Sequence, residues 1–345
     1  MVFFSLIQSA ARILDSLGLH RDNEAETPQD VALLELARAV LSTGYAFSTL
    51  TPLSQARVNA RPENSHACDL AGIFGWSRSF SAEIISPHLF ALMQAADVVE
   101  RCGDGWRARI RISTLGDKAY VHSSYPTDGA DAVFFGPDTV RFVDAIERHL
   151  DAVGATITRA ADVGCGAGPG GIYIAARTPS ACVSMIDIND AALRLARINA
   201  RLNGALNAVA RKSDILKQVQ GDFDLIVSNP PYLIDSLGRA YRHGGGRLGE
   251  GLSAAILREA LSRLAPGGRL VLYTGVAIVE GRDPFKAICV RHIEGRPFDW
   301  SYREVDPDVF GEELEGGAYA GADRIAAVVV TVRRREGGYE RAGVQ

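Results

Sequence analysis

Asp162-Val163-Gly164-Cys165-Gly166-Ala167-Gly168-Pro169-Gly170-Gly171 is the stretch on which the fold turns. It closes the strand-like run Arg159–Val163 and opens a helical stretch, so it reads as a strand, a glycine-rich turn and a helix N-terminus in succession. Glycines at such a turn let backbone N–H groups and the helix start approach a ligand closely. The spacing Gly166-x-Gly168-x-x-Gly171 matches a dinucleotide fingerprint, but Asp162 at the strand end suits a ligand carrying an ammonium group better than a pyrophosphate.

Outward from this turn the pattern repeats. Further strands are expected at Cys182–Asp187, Ala208–Ser213, Phe223–Ser228 and Leu270–Thr274, separated by helical stretches, which predicts a doubly wound α/β sheet. Trp300–Val305 and Arg324–Val332 lack a comparable helix between them and are expected to pair antiparallel at the sheet edge. Upstream, helical patterns at Leu6–Leu17 and Pro28–Leu41 suggest a cap. Short helices around Cys68–Gly75 and Pro87–Ala95 precede two strand-like runs, Trp106–Ser113 and Lys118–His122, so a winged-helix-like module is expected. The division predicted is residues 1–129 for this N-terminal part, 130–335 for the α/β domain and 336–345 for a flexible tail. Period-two geometry places Arg107, Arg109 and Arg111 on one strand face, either solvated or set to touch an RNA or an acidic protein.

The 345 residues carry a net charge of -4 with 23% charged and 47% hydrophobic content, enough for a full core and without general attraction to phosphate backbones or anionic membranes. A nucleic-acid partner is therefore possible only through a local basic patch. Five scattered cysteines without metal-ligand spacing predict a reducing compartment, the cytoplasm, and no metal. The apolar N-terminus has no basic n-region, and no run is long enough to span a bilayer.

Acids close the next two strands as well. Asp187 ends the second strand, where a carboxylate can accept from ribose hydroxyls, and Asp214 ends the third, where it can accept from an adenine amino group while Ile215 and Leu216 cover the ring. Each acid alone also suits a helix cap or turn, whereas the series Asp162, Asp187, Asp214 points to one ligand at the strand ends.

With these residues the stretch from about 130 to 332 resembles the class I S-adenosylmethionine (SAM)-dependent methyltransferases. The resemblance implies a seven-stranded Rossmann-like fold with SAM as cofactor. It also implies that the loop holding Asp162, Gly164, Gly166 and Gly168 binds the methionyl part, Asp187 the ribose, and Asp214 with Ile215 the adenine. Pro266-Gly267-Gly268 stands where this family has a Pro-Gly-Gly turn.

The fourth strand ends in Asn229-Pro230-Pro231-Tyr232, whose prolines forbid continuation of the strand. The Asn229 amide oxygen and the Pro230 carbonyl can each accept a hydrogen from one NH₂ group, aiming its lone pair at a sulfonium carbon while Tyr232 stacks on a planar acceptor. The motif resembles that of amino-directed methyltransferases acting on glutamine side chains or on exocyclic amines of bases. Phe135-Gly136-Pro137-Asp138-Thr139 resembles the Arg-Pro-Glu-Thr segment of the glutamine enzymes, with Gly136 in place of the arginine. The segments Trp76–Arg78, Tyr125–Thr127, Phe134–Thr139, Tyr241–Gly246 and Trp300–Glu304 resemble a two-domain bacterial branch with an NPPY motif. The glycine-rich stretch Arg242–Gly251 is expected to act as a lid, with Tyr241, Arg242 or His243 reaching the pocket.

Two reactions suit these residues. In N-methyl transfer, the gripped nitrogen belongs to a separate small-molecule or protein amine or amide. In the alternative, it is SAM's own α-amino group, which closes a ring to azetidine-2-carboxylate and releases 5′-methylthioadenosine, as in azetidine-2-carboxylate synthase-like enzymes on this fold. Phe134 and Phe135, with Tyr232 and Phe310, offer aromatic faces for the sulfonium in either case, or core packing. A third reading, a SAM sensor that binds nucleic acid, predicts a degenerate reacting loop, and Asn229–Tyr232 is intact.

Overall fold

In the computed structural model, residues 26–154, 156–235, 238–239 and 241–336 are described. The helical pattern expected at Leu6–Leu17 lies outside them.

The described residues begin with four α-helices: α1 (Pro28–Leu41), α2 (Pro52–Asn59), α3 (Leu70–Phe74) and α4 (Pro87–Ala95). Thr27 caps α1 by accepting from Asp30 N, with Pro28 in the first turn, where a missing N–H costs nothing. Two hairpins follow, not one. Strand β1 (Val99–Cys102) pairs antiparallel with β2 (Gly105–Ala108), and β3 (Ile110–Leu115) with β4 (Lys118–Ser123). The run expected as the single strand Trp106–Ser113 breaks at Arg109, whose N–H turns to Val98 O while its carbonyl accepts from Ser124 N.

That break separates the three arginines. Arg109 is exposed beside Glu100 and Asp97, whereas Arg111 is buried, donating from Nη1 to Gln55 Oε1 at 2.7 Å. Arg107 is half-buried. They form no common basic face.

From Pro137 the chain builds a seven-stranded sheet in the order β10-β11-β9-β8-β5-β6-β7. Its strands are β5 (Arg159–Val163), β6 (Cys182–Asp187), β7 (Ala208–Lys212), β8 (Phe223–Ser228), β9 (Leu264–Ile278), β10 (Phe298–Asp306) and β11 (Arg324–Arg334). Strands β5 to β9 are mutually parallel, and β11 runs antiparallel between β9 and β10, as the sequence predicts for the two late strands. The ladder of β11 continues to Arg334, beyond the end at Val332 that the pattern suggests.

The connecting helices are α5 (Pro137–Ala152), α6 (Pro169–Arg177), α7 (Asp190–Leu202), α8 (Gly251–Arg263) and α9 (Pro284–Ile293). Alternation along β5 sorts the core. Ala160 packs with residues of α5, α6 and α7, while Ala161 and Val163 pack with α8 and α9. Both faces are therefore covered, which accounts for the continuously apolar strands.

The N-terminal module docks on α7. Ala192, Leu195 and Ile198 join its core, and Arg194 pairs with Asp30 at 2.5 Å. Two asparagines one turn apart act as a substitute strand along the edge of β4. Asn199 accepts from Val121 N at 2.8 Å and donates to Val121 O at 2.9 Å, and Asn203 makes the same pair with Ala119 at 3.0 and 2.7 Å. The backbone groups of β4 are thereby satisfied by side chains of the α/β domain, which fixes the module over one end of the sheet.

Candidate functional site

In an open α/β sheet ligands bind outside the carboxyl ends of the strands where the order reverses. Here that point lies between β5 and β8. Val163 and Ser228 are register partners, and Ser228 Oγ donates to Val163 O at 2.7 Å, so the Gly164 loop and the Asn229 loop leave the sheet side by side. A cavity of about 390 Å³ opens above them.

Its floor is the glycine turn. Gly164 and Gly166 have φ of 70° and 54°, in the region that disfavours side chains, and a Cβ on Gly164 would meet no protein atom within 4 Å. The turn thus leaves space that a ligand can fill. Asp187 stands beside it on the cavity wall, with Oδ2 accepting from Gly166 N at 2.9 Å and Oδ1 from Asn189 N at 3.0 Å. Burial raises the pKa of this carboxyl and the N–H donors pull it down. Each oxygen keeps a further lone pair for a hydroxyl. Asp214, exposed and paired with Lys217 at 2.5 Å, and Ile215, at φ 55°, line the next part of the wall.

Several sequence expectations are corrected. Asp162 does not line the cavity. It is buried behind the turn, with Oδ2 accepting from Gly171 N at 2.7 Å and Oδ1 without a partner among the described residues. Burial pushes its carboxyl up to about 7. Gly168 caps α6 at φ 88°, against Met185 and Ile172, away from the cavity wall. Leu216 is fully buried in the core, leaving Ile215 alone to face the cavity.

The aromatic pair also divides. Phe134 lines the cavity and stacks on Tyr241, with centroids 5.6 Å apart and planes at 11°. Phe135 is 1% exposed and stacks on Tyr120 and His122 in the core. Neighbours on an extended chain point opposite ways, so only one of the two can face the cavity. Phe310 does face it, edge-on to Tyr232 at 5.9 Å.

In the loop after β8, Asn229, Pro230, Pro231 and Tyr232 all line the cavity. Among the described residues the Asn229 side chain has no hydrogen-bond partner, which leaves its amide for a ligand. Tyr232 is held hard. Its hydroxyl donates to Asp138 Oδ2 at 2.5 Å, and Tyr273 donates to Oδ1 of the same carboxylate at 2.7 Å. Burial, and then the Asp138 charge, push the Tyr232 phenol well above the usual range, so it stays a donor. With its ring edge against Gly275 and Phe310, Tyr232 is a wall of the site more than a free stacking surface. Asp138 and Gly275 were not recognisable as site residues from the sequence. The only signal was the position of Asp138 in the Pro137-Asp138-Thr139 segment.

The roof comes from elsewhere. Tyr241 donates from its hydroxyl to Thr127 O at 2.8 Å, and Arg239 lies 3.8 Å from Asp128 and 2.6 Å from Asp235. Arg242 pairs with Glu313. Tyr241 and Arg242 thus reach the cavity, whereas His243 is exposed and turns Nδ1 to Asp235 N at 3.2 Å. Backbone bonds from Leu233 N to Arg242 O and from Gly244 N to Leu233 O tie this segment to the end of the Asn229–Tyr232 loop.

A seven-stranded sheet with an antiparallel β11, a glycine turn after β5 and a carboxylate closing β6 is the class I SAM-dependent methyltransferase fold, with SAM as its cofactor. Within it, residues 143–277 match the methyltransferase small domain family. The chain is 36% identical over 166 residues to a release factor glutamine methyltransferase of Deinococcus radiodurans, covering 45% of this chain and 55% of the relative. It is 36% identical over 145 residues to a 4-amino-L-phenylalanine/4-methylamino-L-phenylalanine methyltransferase of Streptomyces pristinaespiralis, covering 38% and 49%. Among solved structures, the Thermus thermophilus 16S rRNA N2 G1207 methyltransferase aligns at a TM-score of 0.43 with 16% identity, over 75% of this chain and 64% of that one. The chain spans about half the length of the two curated relatives. Among the described residues no helix is long and apolar enough to cross a membrane.

Proposed function

We propose that this protein is a SAM-dependent N-methyltransferase of a small amine, in which Asn229 and Pro230 orient the acceptor nitrogen. The observation that carries this reading is the uncommitted Asn229 side chain on the wall of the cavity that also holds the Gly164 turn and Asp187. When bound, SAM supplies an electrophilic methyl group on a sulfonium. Asn229 Oδ1 and the Pro230 carbonyl accept the two N–H bonds of the acceptor, which leaves its lone pair directed at that carbon. Asp187 accepts from the ribose hydroxyls, Asp214 and Ile215 border the adenine, and Phe134 offers an aromatic face to the cation. Both relatives named above are methyltransferases of substrates that carry an NH₂ group, a glutamine and an aromatic amine, which supports the N-methyl assignment.

One observation favours a second reading. Thr127, Asp128 and the Tyr241 ring cover part of the cavity, held there by the Tyr241 hydroxyl on Thr127 O and by Arg239 beside Asp128. A cavity partly covered in this way also suits SAM as sole substrate. The held nitrogen is then its own α-amino group: the lone pair forms the bond to Cγ, the Cγ–S pair goes to sulfur, and azetidine-2-carboxylate and 5′-methylthioadenosine result. Mass spectrometry of the purified protein with SAM alone, and then with 4-aminophenylalanine and other small amines added, separates the two. Methyl transfer predicts S-adenosylhomocysteine and an amine heavier by one CH₂ only when an acceptor is present. Methylthioadenosine without any acceptor would replace that reading by cyclisation.

A further inference from the structure

The carboxylate of Asp138 lies at the start of α5, 7% exposed, and lines the cavity beside the reacting loop. Three donors reach it: the Tyr232 hydroxyl on Oδ2, the Tyr273 hydroxyl on Oδ1, and Arg141 Nη1 on Oδ1 at 3.3 Å. An ionised carboxylate offers about four lone-pair sites, so these three leave one on Oδ2. Arg141 does not cancel the charge, because it also pairs with Asp306 at 2.7 Å. Two carboxylates share one guanidinium, and the group keeps a net negative charge. A charge this buried would be costly unless something positive answered it.

We propose that Asp138 is the counter-charge for the cation that forms on the acceptor nitrogen. This rests on the reading that a nitrogen is aimed at SAM from Asn229. As that nitrogen attacks, its lone pair becomes the new C–N bond and the C–S pair goes to sulfur, so one positive charge moves from sulfur to nitrogen. A fixed carboxylate at the nitrogen end stabilises the developing cation without reorganising, directly from Oδ2 or through the Tyr232 hydroxyl oxygen. The charge moves in the same way in methyl transfer to an amine and in ring closure on SAM's own amino group.

Sinefungin tests it without knowledge of the acceptor, because it carries a C–NH₃⁺ group in place of the sulfonium S–CH₃ and so sets an ammonium at the place of the transferred methyl, next to the nitrogen on which the new cation forms. S-adenosylhomocysteine, which has neither charge there, is the reference. Calorimetry on the wild type is expected to show sinefungin preferred by about tenfold or more, the worth of one charge-assisted hydrogen bond. In Asp138→Asn that preference disappears while the S-adenosylhomocysteine Kd stays within about threefold, and Asp138→Glu restores part of it. Arg141→Gln, which removes a competing cation, raises the preference, and it decides the matter if Asp138→Asn does not fold. An equal ratio in wild type and Asp138→Asn, or no increase in Arg141→Gln, overturns the proposal. Wild-type protein that binds neither ligand would instead remove the SAM reading itself.

Discussion

Gly275 and Tyr232 are matched across the site: a Cβ on Gly275 would stand 2.2 Å from the Tyr232 ring. Glycine is required there by close approach, since the ring is already fixed by its bond to Asp138. Gly275→Ala must therefore displace the ring, and the Pro230 carbonyl two residues before it. Turnover of SAM is expected to fall by about tenfold or more, because placement errors of an ångström are costly, with the SAM Kd little changed. Stopped time courses with parallel calorimetry check both quantities.

Asp187 holds Gly166 N and faces the cavity, so Asp187→Ala removes a hydroxyl acceptor and a support of the turn together. The loss of hydrogen bonds to a charged group predicts a SAM Kd weaker by roughly 10- to 100-fold, with a smaller effect on turnover at saturation. Equal SAM affinity in wild type and variant would refute the cofactor assignment.

How far the sequence foretold the site differs by residue. The bounds of β5, β6 and β8 are legible because each is an apolar run stopped by a glycine turn, a carboxylate or prolines. Strand β1 is not, since Val99-Glu100-Arg101-Cys102 is short and half polar. Phe135 is misassigned where backbone alternation already separates it from Phe134. The bond between Asp138 and Tyr232, 94 residues apart, is purely tertiary, and no local pattern carries it. Asp162 was expected at the ligand because it ends a strand. Its side chain points beneath α6 instead, to Gly171.

Asn199 joins the N-terminal module to the α/β domain through both backbone groups of Val121 and through Ala167 O at 2.9 Å. Asn199→Leu leaves these buried groups unpaired. Chemical denaturation is expected to show a loss of roughly 2–4 kcal/mol. A loss below about 0.5 kcal/mol would contradict the docking role assigned to this side chain.

Asp162 predicts a pH dependence. Its folded pKa of about 7 lies above the ordinary value of 3.8, so between these pH values the folded protein binds the extra proton and the unfolded chain does not. Stability from this group is full below about pH 4 and is lost as pH rises through 7. Asp162→Asn lacks this loss. Over pH 5 to 8 the wild type should therefore fall in stability relative to the variant, which urea titrations at several pH values would reveal. Parallel curves would mean that Asp162 is ionised in the folded protein.

The most direct test of the account is the Asn229→Ala variant at saturating SAM, under whichever condition, SAM alone or SAM with a small amine, gives turnover in the wild type. The uncommitted amide on the cavity wall is assigned the task of aiming a nitrogen and not of binding the cofactor. Turnover should fall by about 100-fold or more while the SAM Kd stays within about threefold. Unchanged turnover in Asn229→Ala would contradict the account at its centre.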